Sequence, residues 1–161
     1  MATVKIRLEG INNIEDAAFT IDEGRVPGEA LERIGAELVK RIKSRTRAGA
    51  DVSGQAFEPY SKEYEKKRKK EGKPTTPDLN YTGDMLKGLT VKTDEERQMI
   101  TLYFRDPAEA KKAHYHNEAG AGKNKTVRKF FALSYPDKVY LQSAIAGAKI
   151  KVTEDRFGKL A

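Results

Sequence analysis

Residues 89–104 read LTVKTDEERQMITLYF, two β-prone runs separated by a charged segment. In the second run the apolar side chains recur at every second position, which is the period of a half-buried strand. The polar residues 94–97 between the runs are typical of a tight turn. The stretch therefore predicts a β-hairpin with strands over residues 89–93 and 99–104.

A second alternation lies at the start of the chain. Val4, Ile6 and Leu8 are separated by charged residues, so we predict another strand over residues 3–8. Residues 10–28 contain many turn-forming Asn, Asp, Gly and Pro residues, and we expect them to form an irregular arm.

Five further segments carry helix signals. The longest has apolar residues three or four positions apart and a glycine that stops it: Leu31, Ile34, Leu38, Ile42 and Gly49. The others start at caps: Ser61 before a charged helix to Glu71, Thr82 before a short turn ending at Gly88, Asp106-Pro107 before a helix running into residues 114–118, and Ser134 before the last helix.

These elements predict an α+β fold, a small antiparallel sheet with helices packed on it. We divide the chain into an N-terminal strand and irregular arm over 1–28, an α+β domain over 29–148, and a C-terminal strand or tail over 149–161.

The composition narrows the class of protein. The chain has 161 residues, no cysteine and a net charge of +7, with 38% hydrophobic residues. Its length predicts one domain with a modest core. The absence of cysteine excludes disulfides, a cysteine nucleophile and thiolate metal sites. No apolar stretch is long enough for a membrane span, and residues 1–10 lack the apolar block of a secretory signal, so we expect a soluble protein made inside the cell.

The positive charge is concentrated in three segments. Residues 29–47 carry a net +3, and residues 62–73 and 119–136 carry +4 each, so the remainder is acidic. This segregation favours a polyanionic partner or an acidic protein surface. Glutamates interleave with the lysines of residues 62–73, so the solvated side of a short helix remains an alternative.

Residues 114–118, His-Tyr-His-Asn-Glu, are the most enzyme-like cluster. On a helix, His114 and His116 project about 200° apart and cannot share a metal. On a strand they would need a third ligand, and the chain has no other histidine. The serines lack a Gly-x-Ser-x-Gly context. We therefore expect neither an enzyme nor a metal or cofactor site, and interpret the cluster as surface or interface residues. A metal-dependent hydrolase that uses His114 and His116 is the alternative.

Two adjacent aromatic residues follow two cations in Arg128-Lys129-Phe130-Phe131. We expect one ring to lie in the core and the other to face an edge or a partner. Burial of both rings is the alternative.

An ordered series of motifs extends over residues 30–148. The amphipathic helix 30–47 is followed by Gly49-x-Asp51-x-x-Gly54-x-x-Phe57-x-Pro59-Tyr60-Ser61 and by Asp78-Leu79-x-x-Thr82-Gly83-x-Met85-Leu86-x-x-Leu89. After the hairpin come Ala113-x-x-His116-Asn117-Glu118-x-Gly120 and Arg128-x-Phe130-Phe131-x-Leu133-Ser134. The series resembles the phage virion morphogenesis, or tail-completion, proteins of long-tailed bacteriophages, including Mu-like phages.

The resemblance implies a structural role in the virion, without catalysis or cofactor. It implies a ring, commonly a hexamer, at the junction of tail and head, assembled in the host cytoplasm. Its partners would be other copies of the chain, tail-tube and head–tail connector proteins, and the packaged DNA passing through the lumen. The hairpin of residues 89–104 would lie near a tail-facing or lumenal sheet. A basic nucleic-acid-binding module of a prophage or mobile element is the alternative.

Two sets of residues follow from the basic segments and the resemblance. Candidates for assembly or DNA-channel contacts are Lys66, Lys67, Lys69, Lys70, His116, Lys123, Lys125, Arg128, Lys129 and Phe130. Residues of the structural motifs are Gly54, Phe57, Pro59, Thr82, Gly83, Leu86, Gly120 and Phe131.

Overall fold

A computed structural model describes residues 2–11, 13–21 and 24–158, and the side chains of these residues from Thr3 to Ala148. These residues form a four-stranded sheet and five α-helices, which confirms the α+β class. The elements are β1 (Ala2–Glu9), β2 (Ile14–Ile21), α1 (Gly28–Arg47), α2 (Lys62–Lys70), α3 (Asp84–Gly88), β3 (Leu89–Asp94), β4 (Met99–Phe104), α4 (Pro107–His114) and α5 (Tyr135–Gly158). A π-helical turn, Tyr115–Ala119, follows α4 directly.

The sheet has the strand order β2-β1-β4-β3. The predicted hairpin β3–β4 is confirmed and is antiparallel, as is β1–β2. The central strands β1 and β4 are parallel, so the sheet is mixed and the expectation of a purely antiparallel sheet is wrong. The long connection through α1, α2 and α3 is the kind of crossover that parallel neighbours require.

Strand β2 corrects the expectation of an irregular arm over residues 10–28. Its inner face carries Ala17, Phe19 and Ile21, which alternate with exposed residues. Phe19 pairs with Val4 of β1 across the ladder. The small Ala17 and the many turn residues around the strand made this alternation hard to recognise in the sequence. Pairing with β1 satisfies the backbone groups on one side of the strand.

Helix α1 covers the apolar face of the sheet. The helical spacing is confirmed, because Leu31, Leu38 and Ile42 are completely buried. A methyl group on Gly35 would lie 2.6 Å from a Val91 methyl, so this glycine lets the helix approach β3 closely. Helix α5 packs beside α1 and β2.

Helix α5 also corrects the prediction of a strand or tail from residue 149 onward. The helix continues to Gly158, while residues 159–161 lie outside the described residues. Residues 149–157 contain neither Gly nor Pro, so no helix breaker occurs until Gly158. Within the described chain, no helix has the length and apolar character that crossing a bilayer needs.

Candidate functional site

A cleft of about 670 Å³ opens between α2, α3, α4 and the segment 121–128. We call it the α2–α4 cleft. Its walls bring together residues that are far apart in sequence, including Tyr60, Arg68, Thr82, Glu109, His116 and Arg128. The volume lies within the range of about 300–1,000 Å³ that is usual for ligand pockets.

Arg68 anchors the lysine-rich helix α2 to the cleft wall. Its side chain is completely buried, unlike the lysines on either side of it. Its Nε donates to the carbonyl oxygen of Pro74 at 2.6 Å, and its Nη2 donates to Asp78 Oδ1 at 3.0 Å. In the sequence, Arg68 is one cation among the seven of the basic segment 62–73. Arg68 is the one arginine of residues 62–73. This could have indicated a buried cation, because a planar guanidinium suits buried ion pairs better than an ammonium group does.

Arg128 performs a similar task on the opposite wall. It is buried, with Nε donating to the carbonyl oxygen of Glu58 at 2.8 Å and Nη2 to that of Pro59 at 2.9 Å. The ring of Tyr60 lies between the two guanidinium groups, each 5.0 Å from its centroid. The Arg128 guanidinium thus holds the loop before α2 and is not an exposed contact residue.

His116 faces the cleft from the π-helical turn. Burial, and secondarily the positive charge of Arg128, lower its pKa from 6.5 to about 4, so the imidazole is neutral at neutral pH. The backbone N–H of Arg128 donates to the carbonyl oxygen of His116 at 2.7 Å. His114 instead lies 3.4 Å from Glu118 Oε2. Within the described residues, no three His, Asp or Glu side chains are grouped so that they could hold a metal ion.

Asn117 fixes the backbone of the two phenylalanines. Its Oδ1 accepts hydrogen bonds from the N–H groups of Phe130 and Phe131 at 3.0 and 2.9 Å. Both rings are buried, with 0% and 6% exposure, and both pack against Phe104. The expectation that one ring faces a partner is therefore wrong, and Phe130 is a core residue. Asn117 draws the segment inward, which the adjacent cations did not suggest.

Gly120 lies directly before the turn of residues 121–126, which carries two lysines. Its φ is 88° and its ψ is 137°, a conformation essentially restricted to glycine. A Cβ here would clash with the carbonyl oxygen of Lys125. Ala121 and Thr126 then exchange backbone hydrogen bonds at 3.0 and 3.1 Å. This bridge presents Lys123 and Lys125 on an exposed turn at the cleft.

A comparison with known protein families shows to which family the chain belongs. The profile of the phage virion morphogenesis family matches residues 11–156. The chain belongs to this family. Comparisons with curated proteins and with solved structures gave no match. Membership supports a structural role in virion assembly and confirms the resemblance seen in the motifs.

In this member of the phage virion morphogenesis family, most of the cationic candidates are exposed. They are Lys66, Lys67, Lys69 and Lys70 on α2, Lys123 and Lys125 on the turn, and Lys129, whose Nζ lies 3.8 Å from Glu15 Oε1. Lys67 also lies 5.2 Å from the Tyr81 ring centroid. Together with the buried Arg128, the buried Phe130 and the partly buried His116, these are the predicted contact residues.

The motif residues have distinct positions. Phe57 and Leu86 are core residues, whereas Gly54 is exposed, with a φ of +85°. Pro59, Thr82 and Gly83 line the α2–α4 cleft. Gly83 itself caps α3, while the Thr82 hydroxyl donates to Asp84 Oδ2 at 2.8 Å, so Thr82 stands one residue before the cap.

Proposed function

We propose that the protein completes the phage tail and joins it to the head, as a closed ring around the DNA channel. The proposal combines membership of the phage virion morphogenesis family with one feature of the monomer, the opposite charge of its two ends. The ring size of six follows from the resemblance alone.

The acidic end lies at the start of α1. The β3–β4 turn, residues 94–97, packs there, since a Cβ on Gly28 would lie 2.6 Å from Glu95 Oε2. Arg25 also donates to the carbonyl oxygens of Glu95 and Glu96, at 2.6 and 3.0 Å. The residues of this end, 24–32 and 94–97, carry a net charge of −3.

The basic end lies at the other end of α1. Residues 40–47 carry five cations and no acid. Arg45 donates to the carbonyl oxygens of Phe130 and Ala132, both at 2.9 Å, so the basic segment 119–136 meets α1 at this end. The helix rises 1.5 Å per residue, which separates the two ends by roughly 30 Å.

Opposite charges at opposite ends favour head-to-tail association over a two-fold dimer. In a head-to-tail contact each subunit presents one face to a different face of its neighbour, and such contacts generate a ring when the rotation closes. A two-fold contact made by one end alone would instead place like ends together. The exposed lysines of α2 would then be available to tail proteins or to DNA in the lumen.

Electron microscopy of particles assembled without this protein tests the proposal. We expect filled heads and separate tails, or tails of uncontrolled length, and restored virions when the chain is supplied in trans. Complete, infectious virions formed in its absence would overturn the proposal.

A basic nucleic-acid-binding module is a second candidate, favoured by the four exposed lysines Lys66, Lys67, Lys69 and Lys70. If these lysines contact phosphates, duplex affinity falls steeply with salt, with a slope of about −0.9 per phosphate neutralised. Reversing all four charges should abolish binding. An unchanged affinity in that variant would exclude this candidate.

A further inference from the structure

We infer that the α2–α4 cleft is the socket for the β3–β4 turn, residues 94–97, of a neighbouring copy. The inference rests on the proposed head-to-tail assembly and names the two surfaces that meet in it. It is carried by the unused polar groups of the cleft, by its charge, and by the position of the turn.

The cleft contains polar atoms that its own chain does not satisfy. Among the described residues, six buried side-chain nitrogen or oxygen atoms lack a hydrogen-bond partner, and four belong to side chains lining this cleft. These are Arg68 Nη1, Asn80 Oδ1, Glu109 Oε2 and His116 Nδ1. Arg68 and Glu109 are only 0% and 9% exposed. A buried polar atom without a hydrogen-bond partner destabilises the fold, so these two side chains gain most from a bound partner.

These atoms indicate the chemical class of the occupant. Glu109 Oε2 and Asn80 Oδ1 only accept hydrogen bonds, so the occupant must donate, which a phosphate diester cannot do. Arg68 Nη1 requires an acceptor. A polypeptide carries donors and acceptors on every residue and fits both demands.

The charge of the cleft selects an acidic peptide. Its lining includes the cations Arg68, Lys112, Lys123 and Arg128 and the single carboxylate of Glu109. Lys112 lies 2.8 Å from Glu109 and balances it. Lys123 forms no ion pair within the described part of the chain and is exposed at the mouth.

The β3–β4 turn has the matching chemistry. It carries three consecutive carboxylates, of which Asp94 lies 3.7 Å from Arg97 Nε. Glu95 and Glu96 are exposed, and Glu96 has no ion-pair partner among the described residues. Glu96 is therefore the natural partner of Lys123 in a neighbouring copy.

A chain cannot place this turn in its own cleft. Gly88, at the start of the hairpin, adjoins the cleft, since its Cβ would lie 3.6 Å from Glu109 Cβ. The turn lies at the other end of the six-residue strand β3, roughly 20 Å away at about 3.3 Å per residue. The contact must therefore be intermolecular.

Charge reversal tests the contact in the full chain by analytical ultracentrifugation. We expect Glu96→Lys and Lys123→Glu each to weaken self-association at least tenfold, and the double variant to recover it. An equimolar mixture of the two single variants should also recover association, because the turn of each variant then has the opposite charge to the cleft of the other. Lys111→Glu, a matched reversal of an exposed lysine on α4 outside the cleft, should associate like the wild type.

Cross-linking provides a readout that does not depend on strong association. The chain has no cysteine, so Glu96→Cys with Lys123→Cys introduces the only two thiols. With oxidised glutathione we expect a ladder of disulfide-linked oligomers, and only dimers from a mixture of the single-cysteine chains. The same pair forms no ladder if the turn does not reach the cleft, because a disulfide needs Cα atoms within about 7 Å.

The outcomes separate this inference from the proposed function. Rings that form normally in both charge variants, without cross-links, overturn the socket and leave the ring intact. A wild-type chain that does not associate at high concentration, together with a double-cysteine variant that does not cross-link, overturns both the socket and the head-to-tail ring.

Discussion

The Nη2 of Arg68 lies 3.0 Å from Asp78 Oδ1, and both side chains are buried. This pair connects helix α2 to the loop that leads to α3, so a helix made largely of charged residues has a fixed place beside the cleft. Asp78 Oδ1 also accepts a hydrogen bond from the backbone N–H of Asn80 at 3.0 Å. The pair therefore shapes two walls of the cleft at once.

We expect Arg68→Ala to destabilise the fold by about 3–5 kcal/mol, because it leaves the Asp78 carboxylate buried without its cation. Urea unfolding monitored by circular dichroism measures the change. Lys69→Ala, an exposed neighbour on the same helix, should change the free energy of unfolding by no more than about 0.5 kcal/mol. Equal effects of the two substitutions would contradict the anchoring role of Arg68.

We expect Asn117→Ala to cost about 3 kcal/mol, because it removes the acceptor for two buried N–H groups, those of Phe130 and Phe131. Asn117→Asp retains an acceptor oxygen and should cost less. Asn124→Ala, in the exposed turn, is the matched control. The same unfolding measurement applies, and a loss below 1 kcal/mol for Asn117→Ala would show that these bonds are dispensable.

Gly120 and Gly122 allow the effect of backbone strain alone to be compared with that of strain combined with a steric clash. Both have positive φ, +88° and +73°, but a Cβ at Gly122 would have no neighbour within 4 Å. Gly122→Ala should cost about 1–2 kcal/mol from backbone conformation alone. Gly120→Ala should cost clearly more, because its methyl group would displace the carbonyl of Lys125. Thermal unfolding of both variants decides this, and equal melting temperatures would refute the steric argument.

The low pKa of His116, about 4, predicts a pH dependence of stability. Below pH 6.5 the unfolded chain binds a proton at His116 that the folded chain does not, so stability should decrease as the pH falls from 6.5 towards 4. The slope from this group is at most about 1.4 kcal/mol per pH unit. His116→Gln should flatten the profile in this window, and His114→Gln, which retains His116, is the control. An unchanged slope in His116→Gln would mean that the imidazole is not buried.

The sequence predicted those parts of the fold where one local signal dominates. The caps at Ser61 and Asp106 are both observed as side-chain hydrogen bonds, and the spacing of α1 identified its buried face. Strand β2 was missed because its inner face uses an alanine and its pairing partner is set by the tertiary structure. The parallel pairing of β1 with β4 depends on the crossover, which no local pattern specifies.

The site was less accessible to sequence analysis than the fold. A cation looks the same in sequence whether it is exposed, like Lys69, or buried, like Arg68 and Arg128. Their burial depends on carbonyl groups of distant loops, which only the folded chain brings near. The motif series did identify several cleft residues, among them Pro59, Thr82 and His116, but not that they face one cavity.

Cryo-electron microscopy of the head–tail junction can show both the ring and the contact between its subunits. We expect a closed ring of this chain at the head-proximal end of the tail, with residues 94–97 of each copy seated in the α2–α4 cleft of the next. Density for the chain elsewhere in the virion, or copies related by two-fold axes with their acidic ends together, would contradict it.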